Sequence, residues 1–389
     1  MDTITHGVAG ALLGKAFCDQ PDNRLVRRAV IIGSVAPDLD MIGGWLAADE
    51  LFQLEFHRGI THSIVALPAF ALLLAMATVR LTSPVSGAKS RWRLLTLAYG
   101  AGLALHILLD LITAYGTMIL QPVSMARYTF DMVFIIDLTL GAIVLIPQLV
   151  ASAWSQPEHG TSRTDYRRNW HRAWMMWLTV SFGAIAAWFL VNAVGVPLSL
   201  GAIAVSIAIF AVAFTLPRFT QVKAWPRSRY CQAGLVLMIL YLAACGFAHK
   251  VALDRVAQLV ARNQLTALRI AALPAPPSLL KWSGLVQTDT GVTRFAIDLT
   301  DRGNASAEHF ANTYPIPNEQ KLRALPALQT YLWFARFPWV TSQERDGKQV
   351  VEYRDLQFIR PANRRDSPFT FRAQFDRNGN LISAGLAGL

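Results

Sequence analysis

The sequence predicts an α-helical, multi-span membrane domain of about eight apolar segments, the first two short or re-entrant, followed by a small β-rich extramembrane C-terminal domain. Three observations carry that reading. The 389 residues are 53% hydrophobic and only 16% charged, outside the usage of an ordinary soluble chain. Lys and Arg gather at the ends of apolar runs rather than within them. Beyond residue 250 charges are interspersed, and Pro, Asn and Thr become more frequent.

The apolar runs fall at 3–17, 29–47, 63–79, 94–115, 131–153, 173–193, 196–216 and 231–249. Most approach the ~20 residues that cross ~30 Å of hydrocarbon. The first is short and holds Lys15, and the second is broken by Pro37 and two aspartates. Residues 1–249 are therefore expected to form the transmembrane domain, 250–276 a linker helix ending at PAPP, and 277–389 a soluble β-rich domain. In that last part VTRFAIDL, YLWFARFPWV, QVVEYRDLQFI and FTFRAQF have strand character, with hairpin turns at Asp346-Gly347 and Asn378-Gly379.

Basic residues also orient the chain. Arg24, Arg27 and Arg28; Arg80, Lys89, Arg91 and Arg93; Arg163, Arg167, Arg168 and Arg172; and Arg218, Lys223, Arg227 and Arg229 share one side, whereas the opposite short loops hold only Arg58 and Arg127. The positive-inside rule makes the first side cytoplasmic and turns the N-terminus and C-terminal domain outward, into the periplasm of a Gram-negative cell. MDTITHG has neither a basic start nor a small-residue cleavage site, so it does not read as a signal peptide. The net charge of +11 follows this topology and gives no reason to expect nucleic acid. Cys18, Cys231 and Cys245 stand apart, which supports neither a disulfide framework nor a thiolate metal site.

Five polar sets interrupt the runs: His6; Asp38 and Asp40; His57 and His62; His106 and Asp110; and Asp131 and Asp137. Ionisable groups at membrane depth are costly unless paired or hydrated. Counting ~1.5 Å per helical residue from the cytoplasmic arginines puts Asp40 ~18 Å in, His106 ~20 Å, Asp137 ~21 Å, Asp110 ~26 Å and His62 ~27 Å, with His6 starting at the outer face. All five sets reach the outer half. Bland roles exist for each: a mutually satisfied His106 and Asp110, one helical turn apart; a helix-ending turn at Pro37; interfacial anchoring for His57 and His62; a helix start at His6; a cap at Asp131. A shared depth is not expected of unrelated bland roles.

Imidazole and carboxylate donors suit Zn²⁺, one or two ions, with Mn²⁺ the alternative. The candidate ligands are His6, Asp38, Asp40, His57, His62, His106 and Asp110, with Asp137 as base or orienting group and Arg58 as the grip on an anionic substrate. Metal-assisted hydrolysis follows as the expected activity. No H-E-x-x-H, G-x-S-x-G or P-loop pattern occurs. The rival classes are an ion-coupled transporter or channel, which needs polar groups continuing into the nearly apolar inner halves of the spans, and a non-catalytic scaffold whose β-rich domain binds a protein partner.

MDTITHGVAGALLG, IIGSVAPDLDMI, HRGITHS, HILLDLITAYGT and DMVFIIDLTLG, in that order over residues 1–145, resemble the YdjM family of bacterial inner-membrane proteins, described as metal-dependent hydrolases. The resemblance implies an integral inner-membrane location and hydrolase activity, and sets His6, Asp38, Asp40, His62, His106 and Asp110 on the family's motif positions. Thr113 stands where a D-x-x-N-x-Y-G pattern would carry Asn. The order of His, Asp, His and then H-x-x-x-D is also similar to the zinc phosphodiesterases of the phospholipase C and nuclease group. That likeness implies phosphoester chemistry, and a site near the outer headgroups favours a lipid-linked substrate among membrane lipids.

Overall fold

A computed structural model describes residues 1–47, 51–82, 91–154, 163–193, 200–220, 225–275, 279–301, 305–358 and 369–387. Lys89 and Lys223 of the expected cytoplasmic loops lie outside the described residues. The N-terminal part is helical. α1 (Thr3–Phe17) packs against α2 (Arg24–Gly33), α6 (Trp92–Leu111), α7 (Leu138–Trp154) and α10 (Arg227–Arg262). Short α3 (Asp40–Ala47) and α4 (Phe52–Glu55) lead to α5 (Leu67–Thr82), which lies along α6, while α8 (Arg163–Ala193) and α9 (Leu200–Phe219) pair with each other.

The count of eight spans is corrected. Among the described residues two helices, α6 and α10, are long and apolar enough to cross a membrane, and a third span results if Phe52–His62 and α5, bent by 77°, are taken as one. Runs of suitable composition fall short for physical reasons. α1 has 15 residues, short of the ~20 required. Run 29–47 is cut where Pro37, which removes a backbone donor, sits in a 3₁₀ turn (Ala36–Leu39) between α2 and α3. α7 and the stretch Ile207–Phe219 are apolar but shorter than a span.

α2 and α6 approach closely because Gly33 and Gly102 face each other's backbones: a Cβ on Gly102 would lie 2.3 Å from the Val30 carbonyl oxygen. Such contacts of small residues are how helices pack tightly in lipid.

The expected linker helix over 250–276 is also corrected. α10 runs unbroken for 36 residues to Arg262, and strand structure begins at Arg269 instead of 277. Two antiparallel four-stranded sheets follow, in sequential order: β1 (Arg269–Ala275), β2 (Lys281–Thr288), β3 (Gly291–Asp298) and β4 (Ser306–Ala311), then β5 (Pro338–Arg345), β6 (Lys348–Asp355), β7 (Thr370–Phe375) and β8 (Leu381–Ala387). These sheets fit the β-rich region expected there. Asp346 and Gly347 both take positive φ in the β5–β6 turn, as does Gly379 between β7 and β8. Residues 331–334 of YLWFARFPWV are helical, closing α12 (Pro326–Phe334) after α11 (Glu319–Arg323), and only the end of that stretch is strand.

The two parts share a core. Leu54 and Tyr115 from the helical part pack in one cluster with Tyr331, Phe334, Phe371 and Phe375 of the β-rich part.

Candidate metal centre

Local sequence chemistry sets each donor. Asp2 caps α1 by accepting from Thr5 N at 2.9 Å, which fixes the helix start and puts His6 in its first turns. The Pro37 turn presents Asp38, held by the Thr3 hydroxyl at 2.6 Å. A second 3₁₀ turn, Ile60–His62, presents His62. His106 and Asp110 lie one turn apart on the buried face of α6.

Four donors converge. His62 Nε2 lies 3.0 Å from His106 Nε2, 3.2 Å from Asp110 Oδ2 and 3.7 Å from Asp38 Oδ1; His106 Nε2 lies 3.4 Å from both Asp38 Oδ1 and Asp110 Oδ2. These are five of the six edges of a compact four-cornered figure. A tetrahedral shell with ligand bonds of ~2.0–2.1 Å spaces its donors about 3.3 Å apart.

Tautomers assigned from the hydrogen-bond partners strengthen the fit. His106 Nδ1 donates to the Ser34 carbonyl at 2.8 Å, which leaves its Nε2 a bare lone pair. His62 Nδ1 lies 2.9 Å from the Thr61 hydroxyl, which itself donates to Asp40, and 3.4 Å from Asp40 Oδ2. That assignment makes His62 Nε2 bare as well. The two Nε2 atoms face each other at 3.0 Å, a separation that either a shared proton or a cation can bridge. Asp110 Oδ2 is fully enclosed and makes no hydrogen bond of good geometry, its neighbours being the Nε2 atoms of His62 and His106 at 3.2 and 3.4 Å. The residues present fit a divalent ion.

His6 joins from the other side of Asp110, 3.2 Å from Oδ1, with its ring stacked on His106 at 3.7 Å between centroids. His6, Asp38, His106 and Asp110 each offer a donor atom within 4.8 Å of the others. The Met1 amino group also contacts Asp110 Oδ1.

Several expected roles change. Asp40 sits behind His62, accepting from Thr61, from Arg58 N at 3.2 Å and from His57 Nδ1 at 2.9 Å, so it orients the His62 imidazole from its Nδ1 side. His57 is thereby a partner of Asp40, outside the four-donor figure. Arg58 points into the cluster. It is 2% exposed, with Nη2 2.8 Å from Asp110 Oδ1 and Nη1 2.9 Å from the Thr113 hydroxyl, and it balances the charge of Asp110. Asp137 is not grouped with these residues: one oxygen caps α7 through Leu140 N at 2.9 Å and the other accepts from Tyr241 at 2.7 Å.

Asp131, read as a cap, is instead a bidentate partner of Arg336 in the β-rich part, at 2.8 and 2.7 Å. Burial works against the Arg336 charge, but the Asp131 carboxylate outweighs it and holds the guanidinium above its ordinary pKa. Sequence reasoning passed over Thr3, Ser34 and Thr61, uncharged groups whose positions carry no signal until the helices are packed. Asp40 and Thr61 also line a cavity of about 490 Å³ whose other walls include Leu39, Phe52, Phe56 and Ile60.

A family model described as YdjM inner membrane protein matches residues 1–196, the half of the chain that carries all of the convergent donors. The uncharacterized protein YfhP of Bacillus subtilis (strain 168) is 32% identical over 131 residues, which are 32% of this chain and 38% of that protein's length. The chain thus spans well under half of the curated relative it matches. No solved structure matches.

Proposed function

The chain belongs to the YdjM inner membrane protein family, and from that premise we propose that it is a membrane-embedded, metal-dependent hydrolase acting on a lipid-linked phosphoester. The observation that carries the reading is the four-donor figure of His62, His106, Asp38 and Asp110, buried and converging on one point. A divalent ion held there, Zn²⁺ by donor type, would supply Lewis acidity toward a phosphoryl oxygen by expanding its coordination beyond the four protein donors.

The chain's own groups do the rest. His6 flanks Asp110, Arg58 balances its charge, and Ser34 and Asp40 hold the two ligand imidazoles in their donor tautomers. The cavity's Leu39, Phe56 and Ile60 are partly exposed and suit an apolar chain beside a polar head. The distribution of Lys and Arg supports an outward-facing centre with the β-rich domain in the periplasm.

The test is bound metal in the purified protein and in the His106→Ala plus Asp110→Ala variant, followed by a cleavage screen on lipid phosphodiesters with zinc or manganese. Stoichiometric metal in the wild type and its loss in the variant is expected. Equal, negligible metal in both sinks the proposal.

A further inference from the structure

We infer that the β-rich domain is a working part of the metal centre: it clamps Tyr115, and through Tyr115 the Arg58 guanidinium that holds Asp110. The inference rests on the metal reading above and extends it to residues 269–387, which the family match does not reach.

The clamp begins at Arg336. Its backbone N–H and that of Phe337 are held by the two oxygens of Asp355 at the end of β6, at 2.9 and 3.1 Å, so the arginine is anchored within its own domain. From there the guanidinium crosses to both oxygens of Asp131 and to the carbonyl of Ala114 at 3.2 Å. Ala114 directly precedes Tyr115. Arg127 ties the same segment by donating to the carbonyls of Tyr115 and Gly116, each at 3.0 Å, and lies 4.8 Å from the centre of the Phe334 ring. Thr330 of α12 donates to Glu55 at 2.8 Å and secures α4 beside it.

Tyr115 stands at the seam. On the domain side its ring meets Phe334 at 5.4 Å, Phe358 at 6.1 Å and Phe369 at 6.2 Å between centroids. On the other side it meets His57 at 5.5 Å, and Arg58 Cζ lies 4.8 Å from its ring centre. That ring face matters because Arg58 is fully enclosed and its Nε has no hydrogen-bond partner. A buried guanidinium is stabilised by an aromatic face. The Arg58 backbone is also in the left-handed region, φ 61°, a conformation that persists in a bulky residue only when its surroundings hold it. Tyr115 is therefore a positioning residue, acting on Asp110 through Arg58, and Arg336 positions Tyr115.

The experiment is a Co²⁺ titration of the full chain in nanodiscs, read by the visible absorption of four-coordinate cobalt. Arg336→Ala and Tyr115→Leu are each expected to weaken cobalt binding about 10-fold or more, the usual effect of removing an outer-shell partner. Tyr115→Phe keeps the ring and should bind like wild type, and Arg323→Ala, an exposed position that pairs with Glu319, should do the same. The double variant Arg336→Ala plus Tyr115→Leu should be no weaker than the worse single, because both act on one path.

Wild-type affinity and spectrum in both disruptive variants overturn the inference, as does a fully additive double variant. Should Arg336→Ala not fold, the comparison of Tyr115→Leu with Tyr115→Phe decides alone. A wild-type protein that binds no cobalt refutes the metal reading itself, and this inference with it, and is thereby distinct from bound cobalt that ignores the clamp.

Discussion

Gly102→Ala adds a single methyl group and tests whether the contact between α2 and α6 sets the geometry of the candidate metal centre. The new Cβ would lie 2.3 Å from the Val30 carbonyl oxygen, 2.8 Å from Ser34 N and 2.9 Å from the Gly33 carbonyl carbon. All three are backbone atoms, which cannot rotate aside as a side chain would. Relief to an ordinary carbon–oxygen contact of about 3.3 Å requires the helices to part by about 1 Å. Gly102 lies one turn before His106, whose Nδ1 donates to the Ser34 carbonyl at 2.8 Å. A 1 Å retreat stretches that bond to about 3.8 Å, beyond hydrogen-bond range, and frees the imidazole to turn.

Overpacking of this kind costs roughly 1–3 kcal/mol, offset by about 0.5–1 kcal/mol from replacing glycine within a helix. The net expectation is a loss of roughly 0–2.5 kcal/mol in stability and about a 10-fold loss in metal affinity. Thermal unfolding in detergent and Zn²⁺ titration against a competing chelator measure the two. A variant that melts at or above the wild-type temperature and binds zinc equally well would show that the glycine contact does not position His106.

Two further substitutions separate ligand, partner and structural roles. Asp40→Asn removes the charge behind His62 Nδ1 and should weaken zinc binding roughly 10-fold or more; an unchanged affinity would remove Asp40 from the histidine's support. Asp137→Ala strips the cap of α7 and the acceptor of Tyr241, so a loss of about 1–2 kcal/mol in thermal stability is expected with bound metal unchanged. Metal loss from that variant would restore Asp137 to the centre.

The residues of the centre were legible in the sequence, and their roles were not. His6, Asp38, His62, His106 and Asp110 stand out because ionisable side chains in apolar runs need partners, and the structure brings these five together. The same rule marks Arg58, Asp131 and Asp137 as needing partners without saying which. Arg58 finds Asp110, Asp131 finds Arg336 more than two hundred residues later, and Asp137 finds Tyr241. Each pairing depends on which helices end up adjacent. The β hairpins at Asp346-Gly347 and Asn378-Gly379 could be read because turn chemistry is local. The aromatic run at 331–340 misled because ring-rich residues favour strands yet pack equally well on a helix facing Tyr115.

The span count and the centre fared differently for one reason. Counting spans requires every apolar run to become one long helix, and Pro37 and the 77° bend between Phe52–His62 and α5 break that assumption. The centre depends instead on which ionisable side chains need partners, a requirement that holds whether or not the run carrying them is one long helix. The two breaks also have a use: the Pro37 break is a 3₁₀ turn that brings Asp38, and the bend follows the 3₁₀ turn Ile60–His62 that brings His62, to the helix carrying His106 and Asp110. Broken backbone at membrane depth is tolerated where it lines a polar site. The features that spoiled the count of spans are thus the ones that assemble the centre.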